Sequence, residues 1–361
     1  MRRHKDAVAA GDTHGQSSSC RSWSTVYNTA TLPDRTNSSL EQWHTDACPW
    51  EDTRHSGFFN DYRNTSRALA YAARHVCLPH TSSLKRLAGA RIYFLGDSVL
   101  RQFAQSFLCR IRHPAGTSVL SDEIAWSVQQ IRSSGRCARF SGANPLRHCF
   151  MRSGCVTFQH DVRVCYEWNT ECKAPFVVYG DFRKWLDGQV AKHGAGTHTY
   201  VLMSNGLHQL CREADWLSLN ATYERSMKGA AIPASRFTVI YKDLDAQHFP
   251  TPGGGYLKQE DRARGWTSRG WYCRAAQAAD PPQRQRNMEL RTSLPVVQRL
   301  GWQVLRQFEA SKADGHDLHS TTAPVAESIH PVDCSHWMLP GVPDVWTDRL
   351  LRMLLRKENF R

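Results

Sequence analysis

The chain has 361 residues, 41% of them hydrophobic, enough to bury a substantial core as one large domain or two modest ones. Its net charge of +13, from 46 Lys and Arg against 33 Asp and Glu, raises nucleic acid as a partner, but no zinc-finger spacing, basic helix leading into heptads or RNP-type aromatic run occurs and the Arg residues are scattered. The charge therefore fits a basic surface facing acidic polysaccharide or anionic membrane, and the absence of a fixed-period repeat or long biased tract excludes a solenoid, a collagen and a wholly disordered chain.

The start Met-Arg-Arg-His-Lys resembles the charged lead of a signal, but Asp6 to Ser19 is polar and supplies no hydrophobic segment. Residues 1–45, rich in Ser, Thr, Asn and charge, read as a flexible stem. Residues 46–85 gather Trp50, Phe58, Phe59, Tyr62 and the run Ala68 to Val76, the pattern of a small N-terminal helical lobe ending near Cys77-Leu-Pro.

From residue 86 onward short apolar runs alternate with amphipathic stretches, the pattern of an α/β domain. Arg91-Ile-Tyr-Phe-Leu95 reads as a buried strand, Gly96 as a tight turn and Val99 to Arg112 as a helix. Further central strands are expected at Tyr200 to Met203 and Phe237 to Tyr241, and helices at Trp216 to Met227 and Val345 to Leu355. Gly253 to Gly270, with five glycines, reads as a long loop framing a site. The longest apolar stretches, such as Phe176 to Tyr179, fall far short of the roughly 18 to 20 residues of a membrane span, so any membrane attachment is expected through an anchor outside this sequence.

Twelve cysteines with no CxxC pair favour disulfides over a zinc ribbon or a thioredoxin-like site. Sequons at Asn37, Asn64 and Asn220 fit a glycosylating compartment. Secretory-pathway residence is the expectation.

The chemistry is concentrated in two segments. Phe94-Leu-Gly-Asp-Ser98 puts a serine between a strand and a helix start, where backbone N–H groups can hold an oxyanion; capping of that helix by Asp97 or Ser98 is the plainer alternative. Asp333-Cys-Ser-His336 lies far along the chain, just before the last helix. A carboxylate three residues before a histidine can fix the imidazole tautomer, leaving the other ring nitrogen to take a proton from Ser98. Together they supply a triad in the order Ser, Asp, His that needs no metal. Asp344 reads as a helix-start residue.

These residues resemble the PC-esterase family of the GDSL/SGNH superfamily, whose plant members are trichome-birefringence-like polysaccharide O-acetyltransferases. The family's closing block Asp-Cys-Ser-His-Trp-Cys-Leu-Pro-Gly-x-Pro-Asp is filled in register from Asp333 to Asp344, with Met338 the one departure. Asn205-Gly-Leu-His208, His248-Phe, Trp271-Tyr-Cys273 and Asp317-Leu-His-Ser320 fall in the order of weaker family motifs, and Arg101-Gln102 replaces the usual Arg-Asn-Gln. The resemblance implies an SGNH-hydrolase-like three-layer fold with a mostly parallel central sheet. It implies Ser98, Asp333 and His336 as catalytic residues, Ser98 and Asn205 as the oxyanion hole, and a Cys273–Cys334 bridge across the loop that Cys273 ends. Arg101, His208 and His248 are the candidates for substrate binding, with His319 beside them.

The activity so implied is acetyl transfer to a glycan hydroxyl in the Golgi lumen, with no bound cofactor and an acetyl donor, acetyl-CoA being one candidate, as co-substrate. A carbohydrate acetyl esterase and a non-catalytic glycan-binding protein are the alternatives. The partners implied are a polysaccharide or glycan acceptor and no nucleic acid.

Overall fold

The computed structural model describes residues 71, 85–112, 119–122, 153–168, 182–193, 198–204, 237–255, 273–277, 279–314, 318–319, 334–337 and 341–355, with isolated helical positions at 214, 217, 221 and 224. The expected stem at 1–45 lies outside the described residues, as does the lobe at 46–85 apart from Tyr71 and Lys85. Helical positions 217, 221 and 224 fall within the helix expected from Trp216 to Met227, whose bounds are not described.

In chain order the strands are β1 (Arg91–Gly96), β2 (Val119–Asp122), β3 (Ser153–Phe158), β4 (Val162–Trp168), β5 (Thr199–Met203), β6 (Phe237–Lys242) and β7 (Gln303–Leu305). The helices are α1 (Ser98–Arg112), α2 (Phe182–His193), α3 (Arg284–Arg291), α4 (Ser293–Arg299), α5 (Phe308–Asp314) and α6 (Val342–Leu354). The strands form one sheet of order β2-β3-β4-β1-β5-β6-β7. From β4 through β7 every pairing is parallel, and β2-β3-β4 run antiparallel at one edge.

Strand β1 is central because both of its faces are apolar. Ile92 and Phe94 point into one core with Phe103 and Phe107 of α1 and Trp346 of α6. Tyr93 and Leu95 point into a second core with Trp185 of α2 and Leu294 and Val297 of α4. The same alternation divides Tyr200 and Leu202 from Val201 and Met203 on β5, as the two-residue period of a strand requires. The fold is thus an α/β sheet with helices on both faces. None of the described helices is long and apolar enough to cross a membrane.

Helix α6 starts three residues before the expected Val345. Asp344 accepts the Gly341 N–H at 2.7 Å, which closes the first turn, and its other oxygen takes the Ser106 hydroxyl of α1 at 2.9 Å. Asp344 therefore both starts α6 and ties it to the helix that carries Ser98.

A buried charge group sits where β6 ends. Glu289 of α3 accepts from Tyr241 Oη at 2.8 Å and Leu244 N at 3.0 Å, while Arg286 bridges Glu289 at 2.6 Å and Asp243 at 3.1 Å. Burial first, then the Asp243 charge, push the Glu289 carboxyl from the ordinary 4.5 up to about 7, against the pull of Arg286. An acid raised in the folded state holds its proton longer than in the unfolded chain, so its stabilising contribution is complete below pH 4.5 and is lost as pH rises to about 7. We expect Glu289→Gln to remove a decline on the order of 3 kcal/mol from the urea-unfolding free energy across that window. A variant whose stability falls with the wild-type slope would contradict this assignment.

Candidate functional site

The strand β1 ends in Leu95-Gly96, and the chain turns at once into α1. Asp97 is the cap: its Oδ1 accepts the N–H groups of Val99 at 3.0 Å and Leu100 at 3.2 Å, the short polar side chain doing what an N-cap requires. This leaves the N–H of Ser98 as the first-turn donor without a partner among the described residues. The capping reading of this turn holds for Asp97. Asp97 caps, and Ser98 is partly exposed at the first position of the helix.

Tyr166 of β4 holds the turn from inside, its hydroxyl donating to the carbonyls of Gly96 at 3.2 Å and Asp97 at 3.0 Å. Burial raises its phenol well above the ordinary range, so it remains a neutral donor. Burial first lowers the value of the Arg101 guanidinium, 4% exposed, against the opposing pull of the Asp97 carboxylate. The Arg101 side chain lies inside the fold at the turn that carries Ser98. Gly96 is needed for close approach: a Cβ there would lie 2.7 Å from Leu100 Cδ2, 3.0 Å from Leu100 Cβ and 3.1 Å from the Ser204 carbonyl oxygen. Gly96→Ala is accordingly expected to lower stability by about 1 to 3 kcal/mol and to displace Ser98, measured by thermal unfolding and by Ser98 labelling. An unchanged melt would show that the turn relaxes freely.

The second half of the site arrives from the far end of the sequence. His336 Nε2 lies 2.7 Å from Ser98 Oγ, and both residues are partly exposed. Four residues beyond Ser98, on the same face of α1, Gln102 donates to the Trp337 carbonyl at 2.7 Å and accepts the Trp337 N–H at 2.9 Å. One helix thus presents the serine and grips the backbone next to the histidine.

The other side of that segment is fixed by the β6 exit and the Cys273 segment. The His248 N–H donates to the Cys334 carbonyl at 3.2 Å, and the Arg274 N–H donates to the His248 carbonyl at 2.9 Å. Gln247 Nε2 donates to Ser335 Oγ at 2.7 Å. The expected bridge between Cys273 and Cys334 is present, with Cα atoms 5.4 Å apart. A second disulfide joins Cys155 to Cys165 across β3 and β4.

Of the expected glycine-rich loop only 253–255 is described. Gly254, at φ +74° with its Cα hydrogen against the Gln247 carbonyl where a Cβ would come within 2.7 Å, turns the chain back beneath Phe249 in a conformation that favours glycine. Beside it a cavity of about 230 Å³ is lined by Gln247, His248, Arg274, Phe308 and Lys312, among others. Ser98 and His336 do not line it.

Asp333, Asn205 and His208 lie outside the described residues. Ser204, which precedes Asn205, donates its N–H to the Leu95 carbonyl at 3.3 Å, so the exit of β5 lies against the turn that carries Ser98. His248 and His319 are sealed from solvent, and Gln102 and Tyr166 were not singled out by the sequence. Gln102 could have been found from its spacing to Ser98, whereas Tyr166 depends on which strand neighbours β1.

A serine at the mouth of a mostly parallel sheet, faced by a histidine from just before the last helix, sits on an α/β fold of the SGNH-like kind. Residues 266–353 match the family described as PC-esterase, the GDSL/SGNH-like acyl-esterase family found in Pmr5 and Cas1p. The likeness expected from the closing motif is borne out there. The chain is also 24% identical over 309 residues to a protein named trichome berefringence-like 7 of Arabidopsis thaliana, covering 76% of this chain and 60% of that relative. It is 24% identical over 316 residues to the protein named trichome birefringence of the same plant, covering 76% of this chain and 47% of the relative. The chain thus spans about half to three-fifths of the length of these curated relatives.

Proposed function

We propose that the protein is an O-acetyltransferase that moves an acetyl group onto a glycan hydroxyl through a Ser98 acyl-enzyme. The observation that carries this reading is the 2.7 Å separation of His336 Nε2 and Ser98 Oγ at the N-terminus of α1. His336 takes the Ser98 proton as Oγ attacks the acetyl carbonyl of the donor. The Ser98 N–H, with the Asn205 side chain, holds the resulting oxyanion. Collapse expels the donor's leaving group, which takes the proton from His336. A sugar hydroxyl, deprotonated by the same imidazole, then attacks the acyl-enzyme carbonyl, and Ser98 Oγ leaves with that proton returned from His336. Asp333, three residues before His336, orients the ring through its other nitrogen.

The donor in this proposal is an acetyl thioester or ester, acetyl-CoA being one candidate, and the acceptor is a glycan. The lumen of the secretory pathway is the proposed location, supported by two disulfides, Cys155–Cys165 and Cys273–Cys334, which persist in oxidising compartments.

The test is incubation of the purified protein with acetyl-CoA and a panel of oligosaccharides, read by mass. Acetylated sugar supports transfer. Release of free acetate with no gain in sugar mass would replace the transferase with an acetyl esterase, the reading favoured by the acyl-esterase description of the family matched at 266–353. Failure of Ser98 to react with a fluorophosphonate probe would leave a non-catalytic glycan-binding protein.

A further inference from the structure

Two buried histidines form a chain that ends on the backbone of His336. His248 Nδ1 lies 2.7 Å from His319 Nε2, and His319 Nδ1 lies 2.8 Å from the His336 carbonyl oxygen. At the other end His248 Nε2 lies 3.3 Å from the Lys312 carbonyl oxygen. His248 is 1% and His319 0% exposed. The His319 ring also stacks on Trp337 with centroids 3.9 Å apart, and the two residues form an isolated antiparallel bridge.

Proton counting over these contacts among the described residues assigns the roles. A carbonyl oxygen only accepts, so the 2.8 Å contact needs a proton on His319 Nδ1. In a neutral ring Nε2 then carries a lone pair, and the 2.7 Å contact needs a proton on His248 Nδ1. Two neutral imidazoles supply two protons, and the two short contacts use both. The remaining contact sets the His248 Nε2 lone pair beside the Lys312 oxygen, and it is the long one. A third proton would put a cation at a buried site whose adjoining cavity is lined by Arg274, Arg286 and Lys312 and by the acids Asp280 and Glu309. Burying such a charge is unfavourable, and it would oppose the imidazolium that forms on His336.

We propose that His319, its tautomer set by His248, is a positioning residue for His336. Its Nδ1–H holds the His336 carbonyl while its face packs on Trp337, and Gln102 holds the Trp337 amide from the α1 side. The backbone of the base is thereby clamped by two elements, and only the His336 side-chain torsions remain to bring Nε2 to Ser98. The proposal rests on the reading of Ser98 and His336 as nucleophile and base.

The experiment compares three substitutions of His319 in the full chain. His319→Asn places an amide N–H close to the Nδ1 position, His319→Gln places it nearer Nε2, and His319→Phe keeps the stack on Trp337 without a donor. The rate of Ser98 labelling by a fluorophosphonate is read alongside kcat and KM for acetyl-ester cleavage. We expect Phe and Gln to lower labelling and kcat by about 10- to 100-fold with KM little changed, since a displacement of about 1 Å in a reacting group costs that much. Asn should recover most of that loss. Where the Phe variant does not fold, Asn against Gln carries the comparison, because the two differ in where the N–H sits. Nitrogen-15 spectra of histidine-labelled protein should show both His248 and His319 as neutral Nδ1–H tautomers, with His319 keeping that form in His248→Asn. Equal losses in Asn and Gln, or an Nε2–H or cationic His319, would overturn the proposal while a labelled wild-type Ser98 leaves the acyl-transfer reading standing. An unlabelled wild-type Ser98 would overturn both.

Discussion

Replacing Ser98 by Ala is expected to lower acetyl turnover by about a thousandfold or more while leaving the fold intact. The size of the effect follows from the proposed covalent route: without Oγ there is no acyl-enzyme, and only oxyanion donors and binding remain. A thousandfold loss corresponds to about 4 kcal/mol of transition-state stabilisation. The fold should be indifferent because the hydroxyl's hydrogen bond is to His336, whereas the helix cap belongs to Asp97 and the turn is held by Tyr166. A surface-accessible Oγ lost without disturbing a cap changes stability by about 0.5 kcal/mol or less. The measurements are kcat on a chromogenic acetyl ester, fluorophosphonate labelling and the thermal midpoint. A variant that retains the wild-type rate would remove Ser98 from the chemistry, and one that loses rate only by unfolding would make the serine structural.

The parts of this fold that were legible in the sequence are those whose burial is symmetrical. β1, β5 and β6 read as strands because both faces meet apolar layers, so Arg91 to Leu95, Tyr200 to Met203 and Phe237 to Tyr241 are almost unbroken apolar runs. The edge hairpin β3–β4 gives no such signal. Its turn passes through Gln159, His160 and Asp161, with His160 at φ 62° and Asp161 at φ 56°, where a glycine or asparagine would have advertised it. What holds that turn is distant in sequence: Arg91 donates to the Asp161 carbonyl at 2.7 Å and to its carboxylate at 2.8 Å. β7 is three residues long, below what a period can reveal. In the site, the Ser98 and His336 segments carry their own motifs. The Gln102 clamp is half legible, since its spacing from Ser98 is local and its partner Trp337 is 235 residues away. In the sequence His319 reads only as a candidate for substrate binding, because a lone histidine says nothing about burial. Its 0% exposure and its contact with the His336 carbonyl arise only when three distant segments meet.

Removing the Cys273–Cys334 bridge is expected to have the largest effect on stability. The link closes a sequence separation of 61 residues, and loop closure of that length is worth about 4 kcal/mol in the unfolded-chain model. The Cys155–Cys165 link spans 10 residues within a hairpin already paired by backbone bonds, and the same model gives it about 3 kcal/mol. Cys334 is 0% exposed, so both cysteines of the longer link are best replaced by Ala, which leaves no thiol buried beside the site. For a domain of this size 4 kcal/mol corresponds to a Tm lower by about 10 °C. Activity well below the melt should fall much less. The segment carrying His336 keeps the His248 N–H bond to Cys334 and the two Gln102 bonds to Trp337, which do not depend on sulfur. Thermal unfolding of the Cys273→Ala/Cys334→Ala and Cys155→Ala/Cys165→Ala proteins, read beside kcat at low temperature, separates these effects. A Tm within about 2 °C of wild type in the first protein would show that the long loop is already restrained in the unfolded chain. A kcat reduced as severely as by Ser98→Ala would instead mean that the bridge, and not the hydrogen-bonded clamp, sets the position of His336.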